Sequence, residues 1–315
     1  MSGQVIMLSG GVGGAKLVLG MSHVVEGNNL LVVCNTADDF DHLGLRICPD
    51  IDSVLYALAG LSDQVRGWGR RNETWTFMSA LKSLEGPDWF NLGDGDLATH
   101  VVRTELLRQG KTLGEVTATL ARRMGIQATI VPMCDQPVST SVLTQDGRLN
   151  FQHYFVREQC NPIVTGFEFE NIQAARPQSD LVTTARDPLD AIVIAPSNPY
   201  VSVDPILQIP GLREALQNAR APIVAVSPII GGQAIKGPAA KMMMELGKDV
   251  SVLGIARHYS GLIDGLLIDE ADETLATEIE DLGITVRIAK TLMTDVESKA
   301  GLAEETLSFA RGLAA

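Results

Sequence analysis

The chain has 315 residues, 45% of them hydrophobic and 20% charged, which is enough apolar material for one large core or for a core with a subsidiary lobe. Its formal net charge of −13 argues against sequence-independent nucleic-acid binding, which needs a basic surface to neutralise phosphates. A small anionic ligand stays open, because a local ring of backbone N–H groups binds one even inside an acidic protein.

The four cysteines (Cys34, Cys48, Cys134, Cys160) are scattered and form no C-x-x-C pair, so neither a zinc site nor a disulfide framework is expected. The N-terminus lacks a basic n-region, and no stretch approaches the roughly 20 apolar residues of a membrane span. The expected setting is a reducing cytoplasm, without a membrane or nucleic-acid partner.

Residues 5–8 form a short apolar run that ends in Gly10, Gly11, Gly13 and Gly14 and is followed by the helix-compatible stretch 15–21. Strand, glycine turn, helix is the expected order. Residues 30–34 read as a second buried strand, ending in Asn35-Thr36-Ala37-Asp38-Asp39. The next stretch, 50–125, is mainly helical by pattern, and Thr112-Leu113-Gly114-Glu115 fits a capping box that opens a helix through Met124. Residues 140–144 and 149–154 flank Gln145-Asp146-Gly147-Arg148, which predicts a β-hairpin within 126–160. Buried-type strands recur at 191–195, 222–226, 266–268 and 284–288, with helix-length amphipathic segments between most of them. The fold class is therefore α/β: one doubly wound domain over 1–315, with a mostly parallel, Rossmann-like sheet, a helical insertion at 50–125 and a β-hairpin appendage at 126–160.

Four glycines in five positions after a strand leave the backbone unshielded by Cβ atoms, so a phosphate can approach the N–H groups at the start of the next helix. Two nucleotide motifs nearly fit. A P-loop needs Ser or Thr after its lysine, but Lys16 is followed by Leu17, so the magnesium-binding hydroxyl is absent. The dinucleotide fingerprint needs a third glycine where Lys16 stands. P-loop hydrolysis and hydride transfer both lose ground, and a tight turn without ligand is the plain structural alternative.

Asp38, Asp39 and Asp41 follow the second strand, and Asp50 and Asp52 follow Pro49. Carboxylates at the ends of neighbouring parallel strands can converge on a hard cation such as magnesium, which takes one or two of them, keeps waters and is completed by substrate phosphates. Helix capping competes for Asp50, and the helix dipole for Asp52. Asp94 and Asp96 form another pair, before a helix that carries His100 and Arg103, where capping is again the alternative.

Trp68 stands between Gly67 and Gly69, with Arg66, Arg70 and Arg71 nearby, a setting in which an indole can stack on a flat heterocycle. Two further strand ends carry polar turns, Pro196-Ser197-Asn198-Pro199 and Ser227-Pro228-Ile229-Ile230-Gly231-Gly232. In a parallel sheet they share the glycine loop's edge, where Ser197, Asn198 and Ser227 can donate to phosphate or a purine edge. No Ser-His-Asp or Cys-His arrangement is visible, so covalent catalysis has no positive support.

Taken in order, Ser9-Gly10-Gly11-Val12-Gly13-Gly14-Ala15-Lys16, Asn35-Thr36-Ala37-Asp38-Asp39, Cys48-Pro49-Asp50-Ile51-Asp52, Arg66-Gly67-Trp68-Gly69, Leu92-Gly93-Asp94, Asp96-Leu97-Ala98-Thr99-His100, Pro196-Ser197-Asn198-Pro199 and Ser227-Pro228-Ile229-Ile230-Gly231 resemble the 2-phospho-L-lactate transferase (CofD) family of coenzyme F420 biosynthesis. The matches run on to Leu292-Met293-Thr294 and so cover essentially the whole chain. The resemblance implies a magnesium-dependent reaction on two small molecules. A guanosine diphosphate derivative of 2-phospholactate, phosphoenolpyruvate or 3-phosphoglycerate gives its phospho-acid to the terminal hydroxyl of the deazaflavin Fo, releasing GMP. Such chemistry needs positioning and charge neutralisation, with no protein nucleophile.

Carried over by motif, Gly10, Gly11, Gly13, Gly14, Lys16, Ser197, Asn198 and Ser227 hold the guanylyl diphosphate. Asp39, Asp52 and Asp94 are the catalytic candidates, and Asp39 and Asp52 the metal ligands. Asp52, Trp68, Asp96 and His100 face Fo, under the helical insertion. The family usually has a basic residue in the middle of Gly-Asp-x-Asp; here that position is Gly95, and Arg46 or Arg103 would have to supply the charge. The resemblance also implies a homodimer. The competing reading is a non-enzymatic nucleotide-sugar-binding regulator of the same superfamily. Those proteins carry a Gly/Ser-rich stretch after the Asp-Asp pair, whereas this chain has Phe40-Asp41-His42-Leu43-Gly44-Leu45-Arg46, which favours the enzyme.

Overall fold

Strands apolar on both faces need covering from two sides, and they obtain it by lining up in parallel between two helical layers. The computed structural model, which describes residues 3–185, 189–235 and 237–314, shows this arrangement. Strand β1 (Gln4–Ser9) leads through Gly10 into α1 (Gly11–Val24), and β2 (Leu30–Cys34) follows. The glycines form no separate turn: Gly10 is the N-cap, and Gly11, Gly13 and Gly14 lie in the first turns of α1. An antiparallel pair, β3 (Phe40–His42) and β4 (Leu45–Ile47), leads to α2 (Pro49–Leu58), α3 (Thr76–Ser83), α4 (Asp94–Arg108) and α5 (Leu113–Arg123). The expected capping box opens α5: Thr112 Oγ1 accepts from Glu115 N at 3.2 Å, and Thr112 N donates to Glu115 Oε2 at 2.8 Å.

Strand β5 (Thr129–Pro132) then returns to the main sheet beside β2. Four residues ending in proline carry little strand signal, and only the edge position beside β2 makes them a strand. The expected hairpin is present as β6 (Ser139–Thr144) and β7 (Gly147–Asn150), but β7 stops at Asn150 and the chain turns helical from Phe151. A third strand, β8 (Val164–Glu170), pairs with the other edge of β6, so the antiparallel unit is a three-stranded sheet in the order β7-β6-β8. The chain continues through α6 (Ser179–Thr184), β9 (Leu189–Ile194), α7 (Asp204–Leu207), α8 (Leu212–Gln217) and β10 (Ile223–Val226). A two-residue pair, β11 (Ile229–Ile230) and β12 (Gln233–Ala234), precedes α9 (Ala239–Glu245) and α10 (Val252–Tyr259). Last come β13 (Gly265–Asp269), α11 (Ala276–Glu280), β14 (Thr285–Ala289) and α12 (Val296–Leu313).

The main sheet has seven strands in the order β14-β13-β10-β9-β1-β2-β5, all parallel. Along β1 the side chains alternate between two cores. Val5 and Met7 join Leu17, Ile51, Val116 and Leu307 of α1, α2, α5 and α12, while Ile6 and Leu8 join Val142, Ile206 and Ile255 on the opposite face. A smaller cluster of Phe40, Ile47, Met78 and Leu92 ties α3 and the β3–β4 pair together away from the sheet. Among the described residues no helix is long and apolar enough to cross a membrane.

From β1 the chain works outward through β2 to β5, then crosses to β9 and works outward the other way to β14. Strands β1 and β9 therefore flank the topological switch point. In open parallel sheets that crevice, beyond the carboxyl ends of the strands, is where ligands bind.

Candidate functional site

At the switch point, the turns after β1 and β9 are stitched by one hydroxyl. Ser197 Oγ accepts from Gly10 N at 3.1 Å and donates to Gly10 O at 2.7 Å. The turns approach so closely that a Cβ on Gly13 would lie 2.5 Å from Pro196 O, and one on Gly14 would lie 2.4 Å from Ser9 Oγ and 2.6 Å from Ser197 Oγ. Gly13 and Gly14 thus serve packing against the turn after β9. Gly11 is different: its φ of +63° needs glycine, and its N–H donates to Asp50 Oδ1 at 2.6 Å.

The other residues expected around the guanylyl group are largely engaged in their own turns. Asn198 Oδ1 accepts from Tyr200 N at 3.0 Å, and Ser227 Oγ accepts from Ile229 N at 3.1 Å. Lys16 Nζ donates to Met293 O at 2.9 Å, just before α12.

Next to this crevice, Asp38, Asp39, Asp50 and Asp52 are all buried. Asp50 does not cap α2, whose N-cap is Cys48 with Pro49 as first residue. Its carboxylate instead bridges Gly11 N and Asn35 Nδ2, the latter at 2.9 Å, and so joins α1, α2 and the turn after β2. Burial pushes Asp50 up to about 6, against the lowering effect of those two hydrogen bonds. Asp39 is more isolated. Neither carboxylate oxygen has a hydrogen-bond partner among the described residues, and Arg46 Nη2 stands 3.9 Å away. Burial raises its pKa to about 7, with Arg46 opposing. Asp38 is raised as well, by burial first and then by the charges of Asp50 and Asp39. Asp38 Oδ1, Ser9 Oγ and Thr36 Oγ1 are likewise buried without partners. Buried polar atoms are nearly always paired, so a group of orphans beyond the strand ends makes this crevice the candidate ligand position.

Asp52 is in the opposite condition. The buried Arg103 donates to both of its oxygens, Nη1 to Oδ2 at 3.1 Å and Nη2 to Oδ1 in closer contact. Arg103 Nη1 also lies 3.0 Å from His100 Nδ1. A guanidinium has no acceptor, so Nδ1 accepts and the imidazole proton sits on Nε2, 3.3 Å from Asp96 Oδ1. Tyr56 OH donates to that same oxygen at 2.5 Å. Burial pushes Asp96 up, yet His100 and Tyr56 outweigh it and hold the carboxyl below its ordinary value. Positions 96, 100 and 103 share one helical face, a spacing that groups them already in the sequence. Asp52, Asp96 and His100 bring one ligand atom each within 4.8 Å of one another, but both Asp52 oxygens already serve Arg103.

The structure sets Asp94 apart from these groups. Its carboxylate accepts from Thr74 Oγ1 at 2.5 Å, Phe77 N at 3.0 Å and Thr76 N at 3.1 Å, which caps α3 and lowers its pKa. Glu73, which no sequence motif marks, returns the favour to α4 by accepting from Gly95 N at 2.6 Å and Asp96 N at 2.9 Å. The space beside Gly95 holds Arg70, whose Nη1 donates to Gly95 O at 3.0 Å and whose Cζ would lie 3.4 Å from an added Cβ. Arg46 and Arg103, the cations considered for that place, stay beside Asp39 and Asp52. Trp68 is 47% exposed, with Arg66 Cζ 5.3 Å from its ring centroid, and shares a small cavity with Lys16 that none of the acids above lines.

A doubly wound parallel sheet with four buried acids beside its switch point defines an α/β protein with a charged crevice beyond the ends of its central strands. The 2-phospho-L-lactate transferase CofD family model matches residues 5–301, and the chain belongs to that family of transferases. It is 38% identical to a phosphoenolpyruvate transferase of Streptomyces griseus, over 98% of each chain. It is 39% identical to a 2-phospho-L-lactate transferase of Methanosarcina acetivorans, over 95% of this chain and 96% of that one. A solved structure of a UPF0052-family protein from Bacillus halodurans superposes with a TM-score of 0.65 at 16% identity, covering 97% of this chain and all of that one, and shares the fold.

Proposed function

We propose that the protein transfers a three-carbon phospho-acid from its guanosine diphosphate derivative to the terminal hydroxyl of the deazaflavin Fo and releases GMP. The observation that carries this reading is Asp39, a buried carboxylate beside the switch point whose two oxygens accept no well-formed hydrogen bond and have only the Arg46 guanidinium nearby, at 3.9 Å. In the reaction the acceptor hydroxyl attacks the phosphorus that bears the acid, the bond to GMP breaks, and the hydroxyl proton passes to a carboxylate.

Orphaned carboxylate oxygens fit a hard divalent cation, so magnesium belongs with Asp39 and Asp38. When bound, it neutralises charge on the diphosphate. Asp52, the other acid expected to hold the ion, has both oxygens on Arg103 and suits a different task. Oriented by that guanidinium and backed by His100 and Asp96, it aligns the acceptor hydroxyl and receives its proton through a remaining lone pair. Gly10, Gly11 and the Ser197 turn carry the guanylyl side, and the α3–α4 region covers the acceptor. The names borne by the relatives support the acid class, phosphoenolpyruvate in one lineage and 2-phospholactate in the other. The same proposal places the protein in a reducing cytoplasm, in keeping with four free cysteines, and as a two-fold dimer.

Incubation with Fo, magnesium and each guanylylated acid is expected to yield GMP and a phosphodiester. No product with any acid, together with tight UDP-sugar binding, would overturn the reading in favour of a regulator.

A further inference from the structure

Lys299 is among the largest fully buried side chains of the protein, and the reading above makes no use of it. It lies in the first turn of α12, where side chains lean toward the helix N-terminus. Its ammonium reaches a cavity of about 80 Å³ between α1, α2, the 62–69 segment and the start of α12. Val12 of the glycine segment lines the same cavity, as do Lys16 and Trp68.

The ammonium is poorly served there. It has three donors, and the one hydrogen bond described is to Gln64 Oε1 at 3.4 Å. The nearby acids are committed elsewhere. Asp295 caps α12 by accepting from Ser298 N at 2.8 Å, and Asp63 accepts from Val65 N, Arg66 N and Arg66 Nε, each at 2.9 Å. A buried charge with so little pairing is costly, and burial lowers the Lys299 pKa, with Asp295 opposing. The position is nevertheless held firmly. Helix α12 meets α1 at Gly20 so closely that a Cβ there would lie 2.1 Å from Lys299 O.

Size and charge narrow the ligand. A water needs on the order of 10–15 Å³ on this measure, so the cavity holds a few waters or a carboxylate with its attached carbons, and no nucleoside. The donor of the proposed reaction has one further anionic group besides its phosphates, the carboxylate of its acid. Around the switch point that carboxylate would face Asp38, Asp39, Asp50 and Asp52; the cavity beside Val12 is lined by Lys299 and Lys16, and its lining acid, Asp63, is held by Val65 N, Arg66 N and Arg66 Nε. Resting on the transferase reading, we propose that this cavity is the subsite for the carboxylate of the donor's acid, with Lys299 as the recognising cation and Lys16 on its rim.

The test replaces Lys299 by methionine, a straight apolar chain that fills the same recess and, by removing a buried charge, keeps or raises Tm. Lys299→Met is expected to raise KM for the guanylylated acid by about tenfold or more while kcat stays within about threefold. With the acid's carboxylate masked as a methyl ester, wild type and variant should become alike, both at the higher KM. Phosphoenolpyruvate titrated into each protein should bind the wild type alone, with inorganic phosphate as the control that separates carboxylate from phosphate recognition. An unchanged KM in the variant, or an ester used by the wild type as well as the acid, overturns the proposal. If the wild type forms no product with any donor, the transferase reading fails by itself. The titration then decides the cavity: loss of phosphoenolpyruvate binding in Lys299→Met supports it, and equal binding overturns it.

Discussion

Two groups of buried acids stand side by side beyond the strand ends, and they differ in one respect. Asp38 and Asp39 have oxygens without hydrogen-bond partners, whereas both oxygens of Asp52 lie on Arg103, and Asp96 takes the Tyr56 hydroxyl with His100 Nε2 3.3 Å away. The first group is raised in pKa by desolvation and waits for a charged ligand; in the second, Asp96 lies below its ordinary value because its partners outweigh burial. Asp39 and Asp52, both buried, therefore sit in opposite surroundings. On the proposed function one group would receive an ion or substrate, and the other would be a frame that orients Asp52.

The largest expected effect breaks the first group. Asp39→Asn should lower kcat by roughly two to four orders of magnitude, since the charge that would hold the ion and offset the diphosphate is gone. Its Tm should hold or rise, because the buried charge it removes has only the Arg46 guanidinium, 3.9 Å away, to offset its desolvation. A variant that turns over normally would remove Asp39 from the site.

Breaking the frame should act on stability as well as on turnover. Arg103→Met leaves Asp52 buried and unpaired, at a cost of about 3–5 kcal/mol read from chemical denaturation. Adding Asp52→Asn to it should recover much of that loss, so strict additivity of the two changes would contradict the pairing.

The pH dependence separates the groups more finely. The folded pKa of Asp39 is about 7 and that of Asp50 about 6, both above the ordinary carboxylate value of 3.8. Their neutral forms are favoured by the fold. The associated stability is present below pH 4 and is lost as pH rises through about 6 to 7. Magnesium, which takes the ionised form, should reverse that loss above pH 7. Denaturation at pH 5 and pH 8, with and without magnesium, checks both signs, and Asp39→Asn should reduce the metal-free difference to the part that Asp50 contributes.

The smallest effects concern the glycines that join β1 to β9. Gly13→Ala meets the Pro196 carbonyl, a backbone atom that cannot move aside cheaply, and should cost about 1–3 kcal/mol. Gly11→Ala has open space but a φ of +63°, and should cost about 1 kcal/mol. Thermal melts of the two variants would sharpen which glycines serve packing and which serve conformation.

Much of the sheet is legible in the sequence because its strands are continuous apolar runs. Residues 30–34, 191–195 and 222–226 announce themselves, and the Thr112–Glu115 capping box is as local as any signal can be. Short or half-polar strands are less visible. Thr129–Pro132 and Val164–Glu170 become strands through the neighbours they pair with, β2 and β6. The glycine run shows where the backbone must come close to something. It does not show that Gly13 and Gly14 come close to the turn after β9, some 180 residues away.

Sequence alone settled the fold class, the edge of the sheet that carries the polar turns, and the acids that crowd it, because apolar runs and their spacing are local properties. Only the tertiary structure decided which acids are paired. Asp52 and Arg103 lie 51 residues apart, Gly10 and Ser197 lie 187 apart, and Lys16 meets Met293 across most of the chain. A partner at that distance is set by how helices and strands pack, and in a desolvated crevice the presence or absence of that partner fixes a carboxylate's charge and therefore its task.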